Sequence, residues 1–214
     1  RRRTQSLSNS TRAVHVGGTS ASPASLYRNE IDYNTIATAG NATDFGDTLV
    51  AHVATGGSVA SSTRGVYSVA FLNSSYVNNI EYITIATTGN GQDFGDLITP
   101  AWRLAGCSNA VRGVILEGES PAGDGLNAIS YVTIASMGNA QDFGDATTAG
   151  QHSNGTSSST RGVFMGRQGA SPYPNLTFID YVHIMTTANA QDFGDLTVGR
   201  QGVNACSNGH GGLG

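Results

Sequence analysis

NAISYVTIASMGNAQDFGD, residues Asn127–Asp145, is one of four near-copies of a single phrase, and its alternation decides the fold. The others are NEIDYNTIATAGNATDFGD at Asn29–Asp47, NNIEYITIATTGNGQDFGD at Asn78–Asp96 and TFIDYVHIMTTANAQDFGD at Thr177–Asp195. Side chains of an extended strand point alternately to its two faces, so Ile129, Tyr131 and Thr133 share one face and Val132 and Ile134 the other. Ile80, Tyr82 and Thr84 against Ile83 and Ile85 repeat the arrangement. With both faces largely apolar, the strand is predicted to be covered on both sides, as where sheets stack face to face. The segment Gly-Asn-x-x-Asp-Phe-Gly-Asp then predicts a turn. Gly and Asn supply positive φ, the Asp side chain accepts from a backbone N–H two residues on, and the Phe is an apolar plug.

The first Asp of that segment recurs at Asp44, Asp93, Asp142 and Asp192, after 49, 49 and 50 residues. Tyr33, Tyr82, Tyr131 and Tyr181 keep the same beat, as do Asn41, Asn90, Asn139 and Asn189. Such a period means one supersecondary unit stacked four times, because a single unit cannot bury its apolar face alone. A second shared phrase, at Ser10–Val14, Ser62–Val66, Ala110–Val114 and Ser159–Val163, opens another strand in each copy. No long stripe of helical period is present, and Gly and β-branched residues are frequent. The expected organisation is one domain, 1–214, with repeats at about 1–47, 48–96, 97–145 and 146–195 and a closing or partial fifth repeat at 196–214.

Charge is sparse, at 12% of the 214 residues, against about 25% in an ordinary soluble domain. There is no lysine, and the net charge of −4 offers no basic stripe for a nucleic acid. No window reaches the ~18 consecutive apolar residues of a membrane span. Cys107 and Cys206 stand in the same phase two repeats apart, a poor placement for a disulfide, and both read as small core residues.

The Gly17-Gly18 strand end, the tyrosine strand, the aromatic turn and the small-residue approach to the next strand resemble the kelch motif of β-propeller blades. Phe94 or Phe143 stands where kelch repeats carry tryptophan, and only the first copy keeps the Gly-Gly pair. The wording Tyr-x-Thr-Ile-Ala-Thr-x-Gly-Asn-x-x-Asp-Phe-Gly-Asp also resembles repeat proteins of bacteriophages, particularly those infecting marine cyanobacteria. The resemblance implies an all-β, kelch-like propeller of about four blades, with an open β-repeat stack as the alternative. The two chain ends share one repeat phase, which suits a ring closed by both termini. It further implies a virion or extracellular protein of a tail or fibre, serving host attachment. Its partners would be other virion proteins, itself as a homo-oligomer, and a host-surface glycan or outer-membrane protein. A secreted kelch-like enzyme (an oxidase or a glycan-cleaving enzyme) and a purely architectural filament protein are the alternatives.

No catalytic set assembles. Asp-Phe-Gly invites a kinase reading, but the chain has neither the strand lysine nor a His-Arg-Asp loop. His15, His52, His152, His183 and His210 share no spacing, and no pair reads as a zinc site. The turns Asp44-Phe45-Gly46-Asp47, Asp93-Phe94-Gly95-Asp96, Asp142-Phe143-Gly144-Asp145 and Asp192-Phe193-Gly194-Asp195 offer hard oxygen ligands for calcium. The preferred reading is scaffold without a cofactor, the Asp capping its own turn. Arg12, Arg64, Arg112 and Arg161 are expected to pair with an Asp of their own or an adjacent copy. Sequons at Asn9, Asn41, Asn73, Asn154 and Asn175 are expected by chance in a Ser- and Thr-rich chain. The copies differ most at 19–29, 71–78, 119–126 and 169–175, loops expected on one face. Their aromatics Tyr27, Phe71, Tyr76 and Tyr173, set among Ser, Gly and Asn, are the candidate ligand contacts.

Overall fold

A computed structural model of the chain describes residues 2–20, 26–53, 56–72 and 74–207. Arg1, Asn73, His210 and part of the 19–29 loop lie outside the described residues. Each repeat folds as a four-stranded antiparallel meander, and the four meanders are arranged as a four-bladed β-propeller. Blade 1 holds β1 (Gln5–Ser8), β2 (Arg12–Val16), β3 (Arg28–Thr35) and β4 (Thr43–His52). Blade 2 holds β5 (Val59–Ala60), β6 (Arg64–Ser68), β9 (Asn79–Thr84) and β10 (Gln92–Asp96). A small hairpin of β7 (Phe71–Leu72) and β8 (Ser75–Tyr76) is inserted between its two central strands. Blade 3 holds β11 (Ala105–Ser108), β12 (Arg112–Leu116), β13 (Leu126–Thr133) and β14 (Gln141–Gly150). Blade 4 holds β15 (Asn154–Ser157), β16 (Arg161–Met165), β17 (Phe178–His183) and β18 (Gln191–Asp195). Among the described residues there is no helix, and so none that could cross a membrane.

Among the described residues every blade is contiguous in sequence, so the blade shared between both termini is not formed by them. The first strand of each blade faces the axis. β1, β5, β11 and β15 line a cavity of about 280 Å³, mostly with Ser, Gly and Ala beside Leu7, Val59, Cys107 and Thr156, and residues 205–207 lie beside them. Small residues belong there because the four strands converge, and a larger Cβ would meet backbone. At Gly106 it would fall 2.5 Å from the Ser58 carbonyl oxygen.

Three apolar cores lie between the blades. The first joins Val14, Ile31 and Phe45 of blade 1 to Tyr67, Ile83 and Ile85 of blade 2. The second joins Val66, Ile80 and Phe94 to Ile115, Val132 and Ile134. The third joins Val114, Ile129 and Phe143 to Phe164, Val182 and Ile184. In blades 2 and 3 both faces of the tyrosine strand are thus buried, as its two apolar faces require.

The Asp-Phe-Gly-Asp segment is not a turn. It is the start of the outermost strand, where the register against the tyrosine strand slips and Phe45, Phe94, Phe143 and Phe193 are each the extra residue of a β-bulge. The bulge swings the ring toward the following blade, edge-on to the tyrosine at 5.9–6.1 Å in the four copies. The turn proper lies upstream, and in the next blade it clasps the bulge: Gly89 N donates to Phe45 O and Gly138 N to Phe94 O, both at 2.8 Å. The Asp side chain accepts from an N–H two residues on in the fourth copy, where Gly194 N lies 3.1 Å from Asp192 Oδ1.

Three of the four repeated arginines bind across blades, and among the described residues none of the four pairs with an Asp. Arg12, Arg64 and Arg112 donate to the carbonyls of Ile85, Ile134 and Ile184 of the next blade at 2.9, 2.9 and 3.1 Å. Each lies flat on its own blade's tyrosine, 4.2–4.5 Å from the ring centre. Stacking on the ring aims the guanidinium at a carbonyl leaving the ladder, while the Asp residues sit on the far strand. Cys107 is buried, with its thiol pushed up to about 12 by burial. Cys206 is exposed instead of being a core residue, because no blade covers the segment that carries it.

Candidate functional site

The loops after the second strand of each blade emerge on one side, next to the residues that lead into the innermost strands. Isolated bridges join Arg2 to Thr19, Val53 to Phe71, Trp102 to Glu119 and Gln151 to Gln168, one in each blade. Just inside these bridges, Arg3, Arg103 and His152 occupy the same repeat position, and all three have left-handed φ of 56°, 59° and 61°. Three non-glycine residues held this way on one rim mark it as over-determined by its surroundings.

The most developed part of this rim is aromatic. Phe71 stacks on Trp102 with ring centres 4.7 Å apart, and Tyr76 meets both edge-on at 5.3 and 6.3 Å. The small hairpin of blade 2 carries Phe71 and Tyr76 across the junction onto the blade 3 rim. All three rings are half-buried, and among the described residues no acceptor meets the buried Trp102 Nε1 donor. Arg103 lies 4.3 Å over the Trp102 ring and pairs with Glu119 at 2.5 Å, and Arg3 reaches the same ring at 5.9 Å. Arg103 also donates to Gln151 Oε1. Tyr76 OH donates to Glu119 Oε1 at 2.8 Å. Burial and that bond push the Tyr76 hydroxyl up to about 12, so it stays a donor at neutral pH.

Of the four aromatics named from sequence, Phe71 and Tyr76 come together here. Tyr27 stands on the blade 1 loop and Tyr173 on the blade 4 loop, the latter half-exposed with φ 64°. Among the described residues neither joins a ring contact. Trp102, Arg103 and Glu119 were missed as site residues. They enter from the segments before β11 and after β12, and the signal was the chain's single tryptophan, followed by an arginine. Among the described residues no three His, Cys, Asp or Glu side chains gather as metal ligands.

His152 gives this rim a pH response. Burial, then the charges of Arg103 and Arg3, lower its pKa to about 4 from 6.5. The unfolded chain therefore takes up the proton first, and stability rises with pH between about 4 and 6.5 and is lost as pH falls through that window. Partial exposure screens the effect to under about 1 kcal/mol. Denaturation midpoints at pH 7 and 4.5 are expected to differ less in His152→Asn, which tolerates the left-handed backbone, than in the parent.

No protein-family model matches the sequence. No curated protein sequence matches it either.

Proposed function

We propose that this chain is a non-catalytic binding module of a phage particle, and that its loop rim holds a host-surface glycan. The observation that carries the reading is the Phe71–Tyr76–Trp102 cluster, assembled from two blades and tied to Arg103 and Glu119. Half-buried rings beside fixed donors and acceptors suit a sugar, whose C–H face packs on aromatic surface while its hydroxyls need both hydrogen-bond roles. The phage assignment rests on the resemblance of the repeat wording, and the kelch-like description rests on the same likeness. A propeller whose copies differ most in their rim loops fits such a role.

Adsorption of the labelled chain to host cells, and binding to arrayed glycans, test this. Phe71→Ala combined with Tyr76→Ala is expected to reduce both at least tenfold with the fold retained, and Tyr27→Ala/Tyr173→Ala to reduce them less. Binding is expected to persist in molar salt, where phosphate-led contacts collapse. Unchanged adsorption by the folded Phe71/Tyr76 variant overturns the reading and leaves an architectural particle protein.

A further inference from the structure

The rim that carries the aromatic cluster also gathers basic side chains at one repeat position. Arg3, Arg103 and His152 lie just inside the bridges of blades 1, 3 and 4, each with a left-handed backbone. Arg3 comes from the segment leading into β1, yet it lies 5.9 Å from the centre of the Trp102 ring in blade 3. Arg103 lies 4.3 Å from the same ring. Two guanidinium groups from different blades thus share one aromatic side chain. After burial, their two charges hold the His152 imidazole down to about 4, the mark of cations gathered in one place.

The charges in this cluster do not balance. Its carboxylate, Glu119, is already engaged twice: Arg103 pairs with it at 2.5 Å and Tyr76 OH donates to it at 2.8 Å. Arg103 is fixed further by Gln151 Oε1. Arg3 is exposed, and among the described residues no carboxylate pairs with it. One positive charge is therefore left over beside the half-buried rings, in a chain whose net charge is −4.

Elsewhere the arginines serve the scaffold. Arg12, Arg64 and Arg112 donate to carbonyls of the next blade. Arg28 meets Glu30 at 3.3 Å, and the buried Arg167 lies 3.9 Å from Asp180. Arg161 lies flat on Tyr181 at 4.5 Å, at the start of β16, the end of the blade away from the rim. Arg3 has no such part in the blades, and its guanidinium stands where the aromatic cluster is.

We infer that the rim selects carboxylate-bearing sugars, with Arg3 donating to the carboxylate while the Phe71–Tyr76–Trp102 cluster receives the sugar ring. A guanidinium beside aromatic surface suits a ligand with an apolar face and one negative charge at its edge. A sugar acid is built that way. Its C–H face packs on the rings, and its carboxylate, attached directly to the pyranose, extends sideways within reach of a long, exposed arginine. This inference rests on the glycan reading and adds the charge of the ligand to it.

Oligomers of glucuronate, galacturonate and mannuronate, each beside the neutral hexose oligomer of the same linkage, test this on the 214-residue chain. Trp102 is the chain's one tryptophan, so its indole N–H resonance reports binding at this place without ambiguity. At least one acidic oligomer is expected to bind at least about fivefold tighter than its neutral counterpart, the gain from one charge-assisted pair. Arg3→Gln is expected to erase that preference. Arg3→Lys, which keeps the charge without the planar fork, is expected to keep part of it. Molar salt screens this one contact, so the preference narrows while binding through the rings persists. Equal affinity for acidic and neutral oligomers in the parent overturns the inference and leaves the glycan reading standing. A preference that survives Arg3→Gln in full does the same. Acetate that moves the resonance as far as an acidic oligomer, at equal carboxylate concentration, shows a site for a bare anion and also overturns it. Absence of binding by every oligomer, acidic or neutral, is instead the failure of the glycan reading, and this inference falls with it.

Discussion

Phe143→Ala is expected to cost about 3–5 kcal/mol of folding stability, while Phe193→Ala, the same change in the same motif, costs under about 1 kcal/mol. The Phe143 ring is 2% exposed among Ile129, Val182 and Ile184, whereas Phe193 is 52% exposed. Deleting the first leaves a cavity between two sheets that are pinned by ladder hydrogen bonds and cannot collapse onto it. Deleting the second removes a ring that water already reaches. Asp142, on the exposed side of the same bulge, should be nearly silent as Asp142→Ala, within about 0.5 kcal/mol. Urea denaturation of the three variants beside the parent checks this. Equal midpoints for Phe143→Ala and Phe193→Ala would mean that the bulge ring does not hold the blades together.

Gly144→Ala is the second large effect, and Gly194→Ala is its matched control. Both glycines have φ near 137° (137° and 136°), so an alanine is strained equally at either site. At Gly144 the new methyl would also stand 2.6 Å from the Ala188 carbonyl, and a backbone atom clasped into the bulge cannot step aside as a side-chain tip can. Gly194 meets nothing within 4 Å. The backbone strain is about 1–3 kcal/mol at both positions, and overpacking adds about 1–3 kcal/mol at Gly144 alone. Thermal and urea unfolding of the two variants should therefore separate. If they shift alike, the junction has room that the backbone approach denies, and the blades are not clasped at this glycine.

Much of the scaffold was legible in the chain because it is local. Alternation at Ile129–Ile134 required a strand buried on both faces, the period of about 49 residues required stacked copies, and the phenylalanine was recognisable as a plug. The Asp-Phe-Gly-Asp segment looked like a turn since its residue types suit both a turn and a bulge, and only pairing with the tyrosine strand distinguishes them. The arginine partner was equally out of reach. Asp is nearer in the repeat, but the guanidinium is directed by the ring it lies on toward a carbonyl some seventy residues away, as from Arg12 to Ile85. The aromatic rim was half legible: Phe71 and Tyr76 lie in a variable segment, whereas Trp102 and Arg103 come from the approach to the next blade.

The sequence by itself, through residue type and spacing within one unit, was enough to show four like units of antiparallel strand, with both faces apolar in the second and third copies. It could not distinguish Phe143 from Phe193, or Gly144 from Gly194, since the motif around them is the same. Only the packing of the blades shows that Phe45, Phe94 and Phe143 are covered while Phe193 is 52% exposed. The physical reason is that burial in a stacked fold belongs to the pair of neighbouring blades, and a residue's exposure is settled by whether the next blade is there.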